Sequence, residues 1–269
     1  MTGSLLKAYW RESRTSFSRL PVWLPGTVME LGDIGVLGEG GWTKATDLGA
    51  LGIPVTRRGE GAAADYDYSS GAEVSLTTRV SGQLPDAAGA PVSGGGGLVV
   101  DFRRSGAFIL KSHAVRVHRI DNLDAVEKAV IALHTRLRWN PDWVIVTEVA
   151  RGGPSITVIS KEAGAQSVLD LGLAVTGAGV DLAAARTGMR FSHRSRDAWA
   201  SVTTEESTVL WRGRYVNEGW FGRTTVRERG EDGPAGPAPA WSTPPSLPRS
   251  ADGGPYLADV EDLDEILPL

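Results

Sequence analysis

Residues 143–160 read WVIVTEVARGGPSITVIS. Two runs dense in valine, isoleucine and threonine, 143–150 and 155–160, flank Arg151-Gly152-Gly153-Pro154. β-Branched side chains pack well on a pleated surface, and Gly and Pro punctuate a chain at turns. The spacing therefore predicts a strand, a tight turn and an antiparallel partner. Glu148 is the one acid inside the first run, with Thr147 beside it, and is expected on the solvent side of a half-buried strand.

Working outward, 98–103 and 107–118 are further β-type runs, separated by Arg104-Ser105-Gly106 at hairpin spacing. Asp121 or Asn122 can cap a helix whose Leu123, Val126, Val130, Leu133 and Leu137 form an apolar stripe, and Asn140-Pro141 stops it. Between residues 2 and 20, Leu6, Tyr9 or Trp10, Phe17 and Leu20 share one helical face before Pro21. The stretch 21–54 is broken by glycines into short extended pieces, and 72–80 alternates Val74, Leu76 and Val80 with polar neighbours. Further short strands are expected at 167–175, 189–193 and 207–215. Strands joined mostly by tight turns, with helices gathered in a few places, indicate an α+β fold: a mainly antiparallel twisted sheet with a few packed helices.

The chain has 269 residues and no cysteine. The latter excludes a disulfide scaffold, a Cys-ligated metal, a thiol nucleophile and a cysteine-linked lipid. No apolar run of signal-peptide length opens the sequence and none is long enough to span a bilayer as a helix, so a cytoplasmic location is expected. From Gly230 onward Pro, Gly, Ala and Ser dominate, a mix too poor in apolar surface to fold, and this tail is expected to be disordered. The organisation read from these shifts is one α+β domain, 1–229, a Pro/Gly-rich linker, 230–255, and an acidic amphipathic motif, 256–269. Net charge is −4, which divides into −7 on the tail from residue 230 and +3 on the body. No nucleic acid partner is expected from that balance. In 256–269, YLADVEDLDEILPL, Leu257, Val260, Leu263 and Ile266 or Leu267 recur at helical spacing between five acids, marking an interaction motif for the body or for a protein partner.

The residues that could carry chemistry form no recognisable constellation. There is no G-x-S-x-G elbow, and His113, His118, His134 and His193 sit in no active-site motif. His113 and His118, five apart on one strand, are expected to face opposite ways, against a shared metal. The glycine-rich stretches 31–41 and 94–97 lack the Lys-Ser/Thr ending and the following helix of a phosphate loop. A non-enzymatic protein with no catalytic, cofactor-binding or metal-binding residues, and no cofactor, is therefore expected. Of nine tryptophans most suit a core, while Trp10 and Trp220 with Phe221 are expected on a membrane or partner surface.

Residues 19–25 (RLPVWLP), 45–54 (ATDLGALGIP), 98–110 and above all 143–159 follow one another in an order that resembles bacterial gasdermin-like pore-forming proteins. The resemblance implies an α+β fold held inactive by its C-terminal tail. It further implies release by an activating protease, contact with membrane lipids, and assembly into an oligomeric pore in antiviral defence. Such proteins commonly carry a lipidated cysteine near the N-terminus; this chain has none. Two other readings stay open: an adaptor that recruits a partner through the acidic motif, and an unrecognised hydrolase.

Overall fold

A computed structural model describes residues 2–23, 27–38, 40–58, 61–79, 96–173, 175–176, 179–180, 182, 192–194, 197–217 and 256–259. The elements run α1 (Thr2–Phe17), β1 (Leu20–Pro21), β2 (Asp33–Gly38), β3 (Gly41–Asp47), β4 (Arg57–Arg58), β5 (Ala64–Ser69), a 3-10 turn (Gly71–Glu73), β6 (Val74–Arg79) and β7 (Gly96–Phe102). They continue with β8 (Phe108–Ile120), α2 (Leu123–Thr135), β9 (Trp143–Gly152), β10 (Ser155–Ser160), β11 (Gln166–Leu173), β12 (Val175–Thr176), β13 (Gly179–Val180), β14 (Ser192–Arg194), β15 (Ala198–Thr203), β16 (Ser207–Asn217) and β17 (Tyr256–Asp259). All described pairings are antiparallel, and the fold is α+β, as the sequence indicates.

The deciding segment, 143–160, does not turn back on itself. β9 and β10 do not pair with each other; both lie along β8, in one continuous register that sets Arg151 opposite Arg116 and Ser155 opposite Ser112. Across the junction the His113 N–H donates to Pro154 O and the Gly153 N–H to His113 O, both at 3.0 Å. The chain therefore crosses the sheet as one long strand with an irregularity at its middle, where Ala114 on β8 takes φ +51. The two glycines that suggest a turn instead permit close approach. A Cβ on Gly152 would lie 2.9 Å from His113 O, and one on Gly153 would lie 2.3 Å from Glu205 O.

β15 and β16 repeat the arrangement on the other flank, with Thr203 opposite Ser155 and Ser207 opposite Gly152. β4 and β5 cover the far side of β8, while β2 pairs with the start of β9 and with β3. The expected hairpin of 98–103 with 107–118 is also not formed. β7 lies between β6 and β11 in a separate four-stranded sheet, β14-β11-β7-β6, so both of its edges are occupied, as are both edges of β8.

One large apolar cluster joins α1, α2 and the main sheet, through Leu6, Tyr9, Trp10, Val126, Val130, Val144 and Trp211 among others. A second, including Val100, Ile109 and Val158, ties the smaller sheet to the main one. Trp10, expected at a surface, is 1% exposed: Leu6, Tyr9, Trp10 and Ser13 form the buried stripe of α1, and the indole packs in the core. Asn122 stands at the N-terminus of α2 without capping it, because its side chain accepts from the Thr56 N–H and donates to Pro54 O. Leu137, expected on the α2 stripe, lies beyond the helix end and points to solvent, 94% exposed. Trp220, Phe221, the 230–255 stretch, Val260, Leu263, Ile266 and Leu267 lie outside the described residues.

Candidate functional site

β16 is the last long strand of the main sheet, and its edge away from β9 would be an open row of backbone donors and acceptors. Two short segments cover it. β1 pairs Leu20 with Trp211 and Pro21 with Leu210; proline, which has no N–H to donate, is at home on such an edge. Further along, β17 pairs Asn217 with Tyr256, Val216 with Leu257, Tyr215 with Ala258 and Arg214 with Asp259. The tail motif is thus a strand where it is described, not the helix its spacing suggests. The unpaired edge of β16 supplies backbone partners to Tyr256–Asp259 at once, whereas helix formation in a short segment has a costly nucleus.

Leu257 is 3% exposed and belongs to the main apolar cluster with Val216 and Val144. Its backbone N–H donates to Oε1 of Glu127 on α2, at 3.2 Å. The tail strand is therefore held by β16, by the core and by a carboxylate from α2. Sequence reasoning singled out Leu257 but not Glu127, a half-buried residue of α2 that no local pattern distinguishes. Asn217 and Tyr256 are register partners.

The second cover, α1 with β1, is pinned by buried charge. The Arg19 Nε–H donates to Glu148 Oε1 at 2.5 Å, and Arg119 Nε lies 2.5 Å from Oε2 on the other side. Arg19 and Glu148 side chains are each 4% exposed. Glu148 is thus not on a solvent face: Arg119 and Arg212 are its register neighbours on β8 and β16, and the carboxylate is roofed by the α1–β1 connection. Arg19 also donates to Phe17 O, Ser13 Oγ to Arg19 O, and Arg212 Nε to Ser18 O. An ion pair this deep is retained only when each charge keeps its partner.

Around α1 the phenols report the same burial. Tyr9 packs edge-on against Phe108, and burial pushes its hydroxyl above the ordinary value of 10.0, opposed in part by a hydrogen bond with the Thr157 side chain. Burial likewise raises Tyr66 and Tyr68. A phenol that stays protonated when folded but ionises when unfolded contributes stability that is intact below pH 10 and is lost as pH rises beyond it. The melting temperature is expected to fall above pH 10, and Tyr9→Phe to flatten that fall; a Tyr9→Phe curve parallel to the wild type in alkali would exclude this origin.

A cavity of about 350 Å³ lined by Glu30, Asp33, Lys44 and Asp47 has its charges committed internally: Lys44 Nζ to Asp33 Oδ1 at 2.5 Å, Arg151 to Glu30 at 2.6 Å, and the Ala50 N–H to Asp47 at 2.8 Å. His113 Nδ1 lies 2.9 Å from Asp65 Oδ1, His118 is opposite Val149, His134 is on α2 and His193 on β14. Among the described residues no group of three or more His, Asp or Glu is placed to hold a metal ion. Also among them, no helix is long and apolar enough to cross a membrane.

No family model matches this sequence, and no curated protein matches it. A search of solved structures finds similarity to a chain of the "Cryo-EM structure of the Gasdermin A3 membrane pore", at 8% identity and a TM-score of 0.30, covering 81% of this chain and 91% of that one.

Proposed function

We propose that this chain is a non-enzymatic effector whose C-terminal segment is a detachable lock, and that the unlocked form is a gasdermin-like, membrane-inserting oligomer. The observation that carries the reading is β17 on the edge of β16, with Leu257 in the core and its N–H on Glu127. In this reading the cell holds the chain in its cytoplasm until an activating protease cuts within the Pro/Gly-rich residues 230–255; the bacterial, antiviral setting comes from the sequence resemblance alone.

The energetics favour a lock that depends on its tether. One buried leucine contributes about 1.5–3 kcal/mol and each net hydrogen bond about 0.5–1.5 kcal/mol. Ordering the four residues of β17 costs about 1–2 kcal/mol each, so the two sides nearly cancel. Covalent connection through residues 218–255 sets a high effective concentration, near the millimolar range for a short linker, and keeps the strand docked. Cutting the tether removes that advantage and leaves residues 214–217 of β16 as an open edge, a template for a strand from another copy. The adaptor reading is less favoured, because Leu257 is covered by its own sheet and is unavailable to a partner while docked.

The test is dye release from anionic liposomes by the full chain carrying an engineered protease site between Gly230 and Pro255. Cutting is expected to raise the leakage rate at least tenfold, and Leu257→Asp to raise it without cutting, since a carboxylate cannot stay in the apolar site. Equal silence from cut and uncut protein would overturn the proposal.

A further inference from the structure

The end of α2 is unusual in what it displays. Its last turn closes with the Arg138 N–H on Leu133 O at 3.0 Å and the Leu137 N–H on His134 O at 2.9 Å, the paired bonds of a Schellman motif. The residue that takes the left-handed conformation in this motif is usually glycine, since a Cβ is strained there. Here it is Leu137, with φ +56, and it is the most exposed of the large apolar residues described, at 94%. A branched apolar side chain is thus held in a strained backbone conformation and aimed at water, which is unfavourable twice over for the isolated fold.

Exposed Arg136 and Arg138 flank it. Beneath the tip, Trp139, 5% exposed, packs edge-on against Trp143 with ring centroids 5.1 Å apart, so the loop rests on a rigid aromatic base. Past Pro141, exposed Asp142 offsets one charge and leaves residues 136–142 with a net +1. We infer that this tip is a contact for an anionic lipid surface, with Leu137 entering the headgroup–acyl boundary and Arg136 and Arg138 at the headgroups. A lone projecting side chain between two long cations suits a fluid surface that needs no matching shape. A protein hot spot would require a pocketed, dehydrated patch around it.

The inference concerns the uncut chain and does not rest on pore formation: its readout is binding, not leakage. Co-sedimentation of the full chain with vesicles of equal parts phosphatidylserine and phosphatidylcholine tests it, against vesicles of phosphatidylcholine alone. The wild type is expected to bind the anionic vesicles reversibly, less at high salt, and to leave the neutral ones. Arg136→Gln with Arg138→Gln is expected to weaken binding about 25-fold, at about fivefold per arginine, with the melting temperature unchanged. Leu137→Gly separates the role from a structural one: it is expected to lose at least tenfold in binding while its melting temperature rises by about 2–4 °C, because glycine relieves the strain. A wild type that binds neither vesicle, or both equally, overturns the inference, as does a Leu137→Gly variant that binds like the wild type.

Discussion

Glu148→Gln is expected to lower stability by about 3–5 kcal/mol, the usual consequence of removing one member of a buried ion pair. For a chain of this size that is a fall in melting temperature of about 10 °C. The cost does not come from lost packing, since glutamine has nearly the same shape. It comes from Arg19, 4% exposed, which keeps a hydrogen-bond acceptor but loses its counter-charge with Arg119 and Arg212 as neighbours. Arg119 is 29% exposed at its side chain and can turn to water, so Arg119→Gln is expected to cost no more than about 1 kcal/mol. Urea denaturation followed by tryptophan fluorescence measures both. A Glu148→Gln midpoint equal to that of the wild type would mean that the roof formed by the α1–β1 connection is open in solution.

Trp10→Ala is expected to cost about 3–5 kcal/mol, as for other fully buried large-to-small substitutions. Trp10→Phe is expected to cost less than about 1.5 kcal/mol, for a reason specific to this site. The indole Nε1 is buried with no hydrogen-bond partner, so replacing it with phenylalanine removes an unsatisfied donor along with some contact area. The pair of variants asks whether α1 is an integral layer of the fold. Were Trp10→Ala neutral, α1 would be a loosely attached segment, and its hydrophobic stripe would be free for another surface.

The element types in the body were largely legible. Residues 123–135 carry a helical period, and 143–150, 155–160 and 207–215 are rich in β-branched or aromatic residues, enough to identify helix or strand whatever each element packs against. What failed was local inference of partners. Gly152-Gly153-Pro154 and Arg104-Ser105-Gly106 have turn composition and hairpin spacing, yet neither makes a hairpin. Which strand lies beside which depends on edges that other segments have already filled, and that is a property of the whole sheet.

The candidate site divides along the same line. Leu257 was visible as one of the few apolar residues in a polar tail, but whether it would be helix or strand was set by the open edge of β16, more than forty residues from any local cue. Glu148 read as solvent-facing because a charge in an alternating strand usually is. Only the long-range arrival of Arg19, 129 residues away in sequence, makes burial of that charge tenable. Leu137 fitted the α2 stripe by spacing, and only the backbone reversal after Thr135 turns it outward.

From the sequence by itself follow the α+β class, the antiparallel sheet, the absence of thiol chemistry and the charge split between body and acidic tail, because composition and side-chain period are carried by the chain whatever its contacts. The tertiary structure alone decided strand order, the buried Arg19–Glu148–Arg119 cluster and the docking of Tyr256–Asp259 on β16. Each of these is a pairing between distant residues, and the free energy of such a pairing depends on which edges, charges and cavities the rest of the fold leaves to be filled.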